Sequence, residues 1–143
     1  MSLLAVLCTA CSAPVPATHG IATATQTAPA GISSTTGRVT VIARGLVHPW
    51  AVAPLPDGGF LVTERPGRLR RISADGQISA PLAGVPEVWA QGQGGLLDVA
   101  LAPDFLSSHR VYLTYAEAGA DGTAGTAAGV ATLEGDRLTG FRR

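Results

Sequence analysis

Short runs of β-type residues, separated by turn residues, occupy the chain from residue 38 onward. Runs of four to eight apolar, β-branched or alternating residues predict strands. Pairs such as Asp57-Gly58 and Pro66-Gly67 supply the backbone conformations that tight turns require, and no window shows a sustained helical period. The pattern predicts an all-β fold of antiparallel strands. The predicted strands cover residues 38–43, 50–55, 60–64, 68–73, 96–102, 110–117 and 129–134.

Two stretches of this pattern resemble each other. Residues 52–57 read VAPLPD and residues 99–104 read VALAPD, about 47 positions further along. Each copy is followed by another strand, and the second copy has a short insertion at residues 105–109 before it. A repeat of this length with several strands per unit is typical of β-propeller blades, which stack because one sheet cannot bury both faces alone. The alternative is a chance similarity of strand–turn patterns in a β-sandwich.

The charge balance excludes one class of partner. Ten basic residues, all arginine, match ten acidic residues, so the net charge is +0 and there is no electrostatic footprint for nucleic acid. Four of the arginines lie within residues 65–71. Alternation places Arg68 and Arg70 on one strand face, which we interpret as a solvated face rather than an anion site.

The N-terminal residues predict export. Residues 1–17 contain an apolar run too short to span a bilayer but suited to the core of a secretory signal. Small residues before Cys11 resemble a lipoprotein signal in which Cys11 carries the lipid anchor; the alternative is an ordinary cleaved signal. Residues 18–37 are a Thr-, Ala-, Gly- and Pro-containing linker expected to be disordered. We therefore expect a periplasmic protein or an outer-membrane-anchored lipoprotein, with residues 38–143 as its folded part.

One segment conflicts with a plain strand pattern. The apolar run at 96–102 is directly preceded by a glycine-rich segment, Gln91-Gly92-Gln93-Gly94-Gly95, which we call the glycine-rich loop. Glycine costs backbone entropy and gives neighbouring strands nothing to pack against. The segment therefore predicts a loop at which another group approaches the backbone closely.

Three stretches of the chain together resemble the N-terminal part of the soluble PQQ-dependent aldose sugar dehydrogenases, which belong to the glucose/sorbosone dehydrogenase family. These stretches are residues 48–72, 84–105 and 111–117. The resemblance extends from about residue 39 to residue 143. It implies a six-bladed β-propeller of four-stranded antiparallel sheets, of which this chain supplies about two N-terminal blades. It also implies oxidation of the anomeric carbon of aldose sugars to lactones, with pyrroloquinoline quinone (PQQ) as hydride acceptor, calcium as a second cofactor and an external electron acceptor.

The resemblance also implies a role for Gln93. The matching glutamine of the family contacts the quinone cofactor and the sugar, and a neutral amide can both donate and accept there. Gly92, Gly94 and Gly95 would keep the loop open around a planar ligand. The family's general-base histidine, its quinone-polarising arginine and its calcium ligands lie in later segments. We therefore expect residues 1–143 to carry no catalytic residue and to be inactive by themselves.

Other functions and other residues remain candidates. A non-catalytic propeller that serves as a binding module is the main alternative, and a calcium-dependent hydrolase would need inward-pointing carboxylates that the sequence does not place. The sequence leaves open which aldose is oxidised, which acceptor takes the electrons, and the oligomeric state. Six further residues are expected to be mainly structural: Trp89 between blades, His48 and His109 at a strand entry and a turn, Asp57 and Asp104 as turn caps, and Asp98 as a hydrogen-bonded strand residue.

Overall fold

The computed structural model describes residues 37–143, and residues 38–143 form one compact unit. None of the helices in this part of the chain is long and apolar enough to cross a membrane. The predicted leader, with its lipid anchor at Cys11, and nearly all of the linker lie outside the described residues and stay predictions. The elements are β1 (Pro49–Pro54), β2 (Phe60–Glu64), β3 (Arg68–Ile72), β4 (Leu96–Leu101), α1 (Phe105–Ser108), β5 (Arg110–Ala118), a 3₁₀ turn (Ala120–Gly122), β6 (Ala124–Glu134) and β7 (Arg137–Arg142).

The strands form two antiparallel sheets in chain order, β1-β2-β3 and β4-β5-β6-β7. The predicted fold class is confirmed: two neighbouring antiparallel sheets are the arrangement of adjoining propeller blades. The first sheet has three strands where four were expected. Between β3 and β4 the chain forms two isolated β-bridges instead of a strand, Ile72 with Ile78 and Ala83 with Arg137 of β7. Pro81 lies between these bridges and has no N–H group to donate to a ladder.

The repeat predicted from the sequence is visible in the backbone. Both β1 and β4 carry a bulge near their first residues, where the register with the next strand shifts. In the first sheet the Thr63 hydroxyl accepts the Ala51 N–H at 2.9 Å, and in the second the Thr114 hydroxyl accepts the Asp98 N–H at 2.9 Å. Each threonine thus binds an amide that the bulge removes from the ladder.

The insertion at residues 105–109 forms the single-turn helix α1. The Asp104 carbonyl accepts hydrogen bonds from the N–H groups of Ser107 and Ser108, and His109 ends the turn in the left-handed conformation. The second repeat therefore reaches β5 through a helical turn, whereas the first reaches β2 through a tight turn at Asp57-Gly58.

The core lies between the two sheets, with β1 packed against β4. Strand alternation sends every second side chain into this layer, so large residues of both sheets are completely buried. These include Leu61 and Leu69 of the first sheet and Leu96, Val111 and Leu113 of the second.

The strand predicted at residues 38–43 is not formed. This segment has no regular pairing, and Val39, Val41 and Ile42 are 93%, 57% and 51% exposed. Its β-type composition is real, but a strand needs a partner, and the described residues offer none beside it.

Candidate functional site

A cleft of about 340 Å³ lies at the end of the two sheets where β1 and β4 begin. Three chain segments build it: the entry into β1, the residue after β2, and the glycine-rich loop before β4. The lining residues are His48, Pro49, Trp50, Arg65, Gly92 and Gln93. The cleft therefore includes the one cofactor-binding residue expected from the sequence, Gln93, whose side chain is exposed there.

Two of the three glycines in the loop are required by close approach of the protein itself. A Cβ atom on Gly95 would collide with the Arg65 carbonyl oxygen, and one on Gly94 would collide with the Trp89 carbonyl oxygen. Gly95 also has φ of +137°, a conformation that side chains disfavour. Gly92 differs, because a Cβ there would meet nothing within 4 Å. Gly92 thus leaves open space in the cleft beside Gln93.

Trp89 does not line this cleft. Its backbone N–H donates to the Ala116 carbonyl at 2.8 Å, and its ring lies against Gly94. The expectation that Trp89 is mainly a packing residue agrees with this position. Trp50 is the tryptophan that borders the cleft, and it is 50% exposed.

Sequence reasoning missed the buried ion-pair network beside the cleft. The Glu64 side chain is fully buried and binds Arg68 Nε at 2.7 Å and Arg70 Nη1 at 3.3 Å. It also accepts the Val47 N–H at 2.6 Å. The interpretation of Arg68 and Arg70 as a solvated face is therefore wrong: both are drawn onto a buried carboxylate, and the Arg70 side chain is only 20% exposed. The signal was available, because the Pro66-Gly67 turn places residue 68 opposite residue 64.

Two opposing effects act on the pKa of Glu64. Burial raises the pKa, because it disfavours the charged form. The hydrogen bond from the Val47 N–H and the charges of Arg68 and Arg70 outweigh burial and hold the pKa below its ordinary value of 4.5. Glu64 is therefore ionised when the protein is folded at neutral pH.

The two histidines considered from the sequence have different positions. His48 borders the cleft with φ of +48°, and its carbonyl accepts the Arg65 N–H at 3.0 Å. His109 lies at the opposite end of the sheets, where its ring packs on Phe105 at 5.8 Å between ring centres. The structure thus keeps His109 away from Gln93, while His48 is beside it.

Asp57 and Asp98 bind backbone N–H groups, whereas the Asp104 carboxylate makes no capping hydrogen bond to α1, so the prediction of Asp104 as a turn cap is wrong. Asp57 accepts the Gly59 N–H at 3.0 Å, and this bond, with the Arg71 guanidinium, lowers the pKa of the Asp57 carboxyl. Asp104 binds Arg110, at 2.8 Å, and Ser108, which lower its pKa. Asp98 is exposed and accepts the neighbouring Val99 N–H at 2.8 Å, so its role is local.

A second cavity, of about 330 Å³, opens at the opposite end of the sheets between the Asp57 turn, α1 and the β6–β7 turn. It contains no residue of the glycine-rich loop. Within residues 37–143, no group of three His, Cys, Asp or Glu side chains is placed to hold a metal ion.

Comparison with known proteins gives matches over most of the described residues. The family model for glucose/sorbosone dehydrogenase matches residues 46–143. The aldose sugar dehydrogenase YliI of Escherichia coli K12 is 56% identical over 110 residues, which is 75% of this chain and 30% of that protein.

Solved structures give the same result. The apo-form soluble aldose sugar dehydrogenase of Escherichia coli superposes with a TM-score of 0.70 at 54% identity, covering 72% of this chain and 30% of that one. The PQQ-bound aldose sugar dehydrogenase of Streptomyces coelicolor superposes with a TM-score of 0.65 at 32% identity, covering 73% of this chain and 31% of that one. This chain therefore spans about 30% of the length of the relatives it matches.

Proposed function

Because this chain belongs to the glucose/sorbosone dehydrogenase family, we propose that the protein containing it is a PQQ-dependent aldose sugar dehydrogenase. The reaction is oxidation of the anomeric carbon of an aldose to the lactone, followed by electron transfer to an external acceptor. The names of the relatives support the sugar, and the PQQ-bound Streptomyces coelicolor structure supports the cofactor. The apolar leader at residues 1–17 supports an exported enzyme.

The observation that carries the proposal is the cleft beside Gln93. PQQ is a planar, oxygen-rich anion, and three features of the cleft fit such a group. The Gln93 amide offers both a donor and an acceptor, Gly92 leaves open space, and the Arg65 guanidinium borders the cleft with a positive charge. When bound, PQQ supplies the two-electron acceptor for oxidation of the sugar.

Within this chain, we assign Gln93 to cofactor and substrate binding. Its exposed amide would orient a ligand by hydrogen bonds without adding charge, while the half-exposed Trp50 ring would cover apolar surface at the rim. Calcium binding stays a prediction from the resemblance. The general-base histidine expected in a later segment also stays a prediction.

The first test is sugar oxidation by the complete gene product that contains residues 1–143. The purified protein is reconstituted with PQQ and calcium, and reduction of an artificial dye is followed with a panel of aldoses. We expect PQQ-dependent dye reduction. The Gln93→Ala variant should lower kcat/KM about tenfold, because one or two hydrogen bonds to bound ligand are lost.

Gln91→Ala is the matched control. Gln91 is an exposed glutamine of the same loop, but it does not line the cleft, so its variant should keep the wild-type kcat/KM. PQQ binding without dye reduction by any aldose would instead favour the non-catalytic binding module. Equal kinetics of Gln93→Ala and Gln91→Ala would contradict the assignment of Gln93.

A further inference from the structure

Arg65 contacts both other segments of the cleft. It follows the last residue of β2, and its backbone N–H donates to the His48 carbonyl at 3.0 Å. Its carbonyl accepts the Leu96 N–H at 3.1 Å, at the first residue of β4. Its guanidinium Nη1 donates to the Gly92 carbonyl at 2.5 Å. A single residue of the first sheet thus holds the entry into β1, the glycine-rich loop and the start of β4.

The side-chain bond acts on the peptide group that precedes Gln93. The Gly92 carbonyl belongs to the Gly92–Gln93 peptide plane, so its orientation affects where the Gln93 side chain points. Gly92 has φ of +54°, and a Cβ atom there would meet nothing within 4 Å, so no other group packs against this side of its Cα. Glycine gains more backbone freedom than other residues when it is released. The guanidinium bond therefore restrains a peptide plane that follows a conformationally free residue.

The loop is also shaped to admit Arg65. Because Gly95 has no side chain, the Arg65 carbonyl approaches its Cα closely. Arg68 and Arg70 pair with Glu64, but Arg65 forms no ion pair with a carboxylate among residues 37–143. Its guanidinium is directed to a backbone carbonyl instead, and its rigid planar donors suit that task better than a flexible ammonium.

We propose that Arg65 is a positioning residue that sets the conformation of the Gln93 loop and, through it, the binding of the quinone and sugar. The effect on binding rests on the proposed function; the effect on the loop does not. Loss of the guanidinium should loosen residues 91–95 while both sheets stay folded.

The experiment compares Arg65→Met, Arg65→Lys and wild type in the complete gene product. Hydrogen exchange measured by mass spectrometry reports on the loop through the Gly94 N–H, which is bonded to the Gln91 carbonyl at 2.7 Å. We expect exchange in residues 90–96 to rise about tenfold in Arg65→Met, with partial recovery in Arg65→Lys. PQQ affinity, from quenching of tryptophan fluorescence, should fall about tenfold in Arg65→Met and recover in part in Arg65→Lys.

Arg110→Met is the control, because it removes an arginine whose partner, Asp104, lies at the opposite end of the sheets. It should leave exchange in residues 90–96 and the PQQ affinity unchanged. If residues 90–96 of Arg65→Met exchange at the same rate as in the wild type, the inference is overturned, whatever the activity of the variant. Faster loop exchange in a protein whose wild type oxidises no sugar would support the positioning role and reject the proposed function.

Faster exchange throughout both sheets in Arg65→Met would mean that this variant disturbs the whole fold. The Arg65→Lys variant then tests the positioning role. Faster exchange confined to residues 90–96 in that variant supports the inference, and unchanged exchange there overturns it.

Discussion

Glu64 shows how single residues stabilise the first sheet. Its carboxylate is completely buried, and burial of a charge is tolerated only when partners compensate for lost hydration. Arg68, Arg70 and the Val47 N–H provide that compensation. The hydrogen bond from the Val47 N–H also holds the chain just before β1. The Glu64 carboxylate therefore connects the β2–β3 hairpin to the segment that lines the cleft.

Replacement of Glu64 by Gln should lower the free energy of unfolding by about 3 kcal/mol near neutral pH, because two arginines lose their buried partner. The pKa of Glu64 is lowered in the folded protein. The stabilisation by the Glu64 carboxylate is therefore complete above pH 4.5, the ordinary pKa, and is lost as the pH falls through the lowered pKa of the folded protein. The difference in stability between wild type and Glu64→Gln should therefore shrink on acidification below 4.5. Urea unfolding at a series of pH values measures it.

Glu117→Gln is the comparison, because Glu117 forms an exposed pair with Arg143 and its loss should change stability by less than about 1 kcal/mol. A stability difference for Glu64→Gln that stays constant from neutral pH to about pH 3 would contradict the assigned pKa direction.

At the scale of elements, the two bulged strands give the cleft its position. β1 and β4 start at the same end of the sheets, and each bulge is completed by a threonine hydroxyl from the neighbouring strand. The two threonines differ in one respect. Thr63 also donates to the Leu97 carbonyl at 2.6 Å, so it connects the first sheet to the second. Its hydroxyl is therefore one of the contacts that hold the two walls of the cleft together.

Thr63→Val should cost about 2 kcal/mol of unfolding free energy, because the isosteric change leaves the Ala51 N–H and the Leu97 carbonyl without a partner. Thr114→Val is the matched variant and should cost less than about 1 kcal/mol, since the Asp98 backbone is exposed and its N–H can bind water. Chemical denaturation of both variants tests this order. Equal costs would show that the bond from Thr63 to Leu97 contributes nothing measurable.

At the scale of the whole molecule, apolar side chains remain exposed on the outer face of each sheet. Val52 of β1 is 59% exposed and Tyr112 of β5 is 42% exposed, each on the face turned away from the shared core. Blades of a propeller cover such faces by stacking. The chain matches only about 30% of its relatives' length.

A polypeptide of residues 37–143 alone should self-associate at about 50 µM, because apolar side chains exposed on the outer faces of the sheets drive association. The double variant Val52→Thr, Tyr112→Thr should shift the equilibrium of this polypeptide toward the monomer, as measured by sedimentation velocity. Leu106→Thr is the control: Leu106 is 79% exposed but lies on α1, away from both sheet faces. A monomeric wild-type fragment, or an equal shift by the control, would contradict this prediction.

Much of the fold and part of the site follow from local sequence patterns. Strand periodicity and turn pairs predicted the positions of six of the seven strands, since these depend on neighbouring residues; the insertion at 105–109 was recognised, but its helical turn was not predicted. The exception, β7 (Arg137–Arg142), has weak periodicity and is formed by pairing with β6. The strand predicted at 38–43 failed for the converse reason, because its composition suits a strand but no described strand lies beside it.

The sequence by itself determined the strand type, the repeat and the glycine-rich loop of the candidate site, because each is encoded by short local runs of residues. Tertiary structure alone decided which residues surround Gln93 and what holds them. Arg65 meets Gly92 across 27 residues, and Thr63 meets Leu97 across 34. Such contacts depend on the packing of one sheet on the other, and packing is set by the shapes of side chains distant in sequence, which no local pattern records.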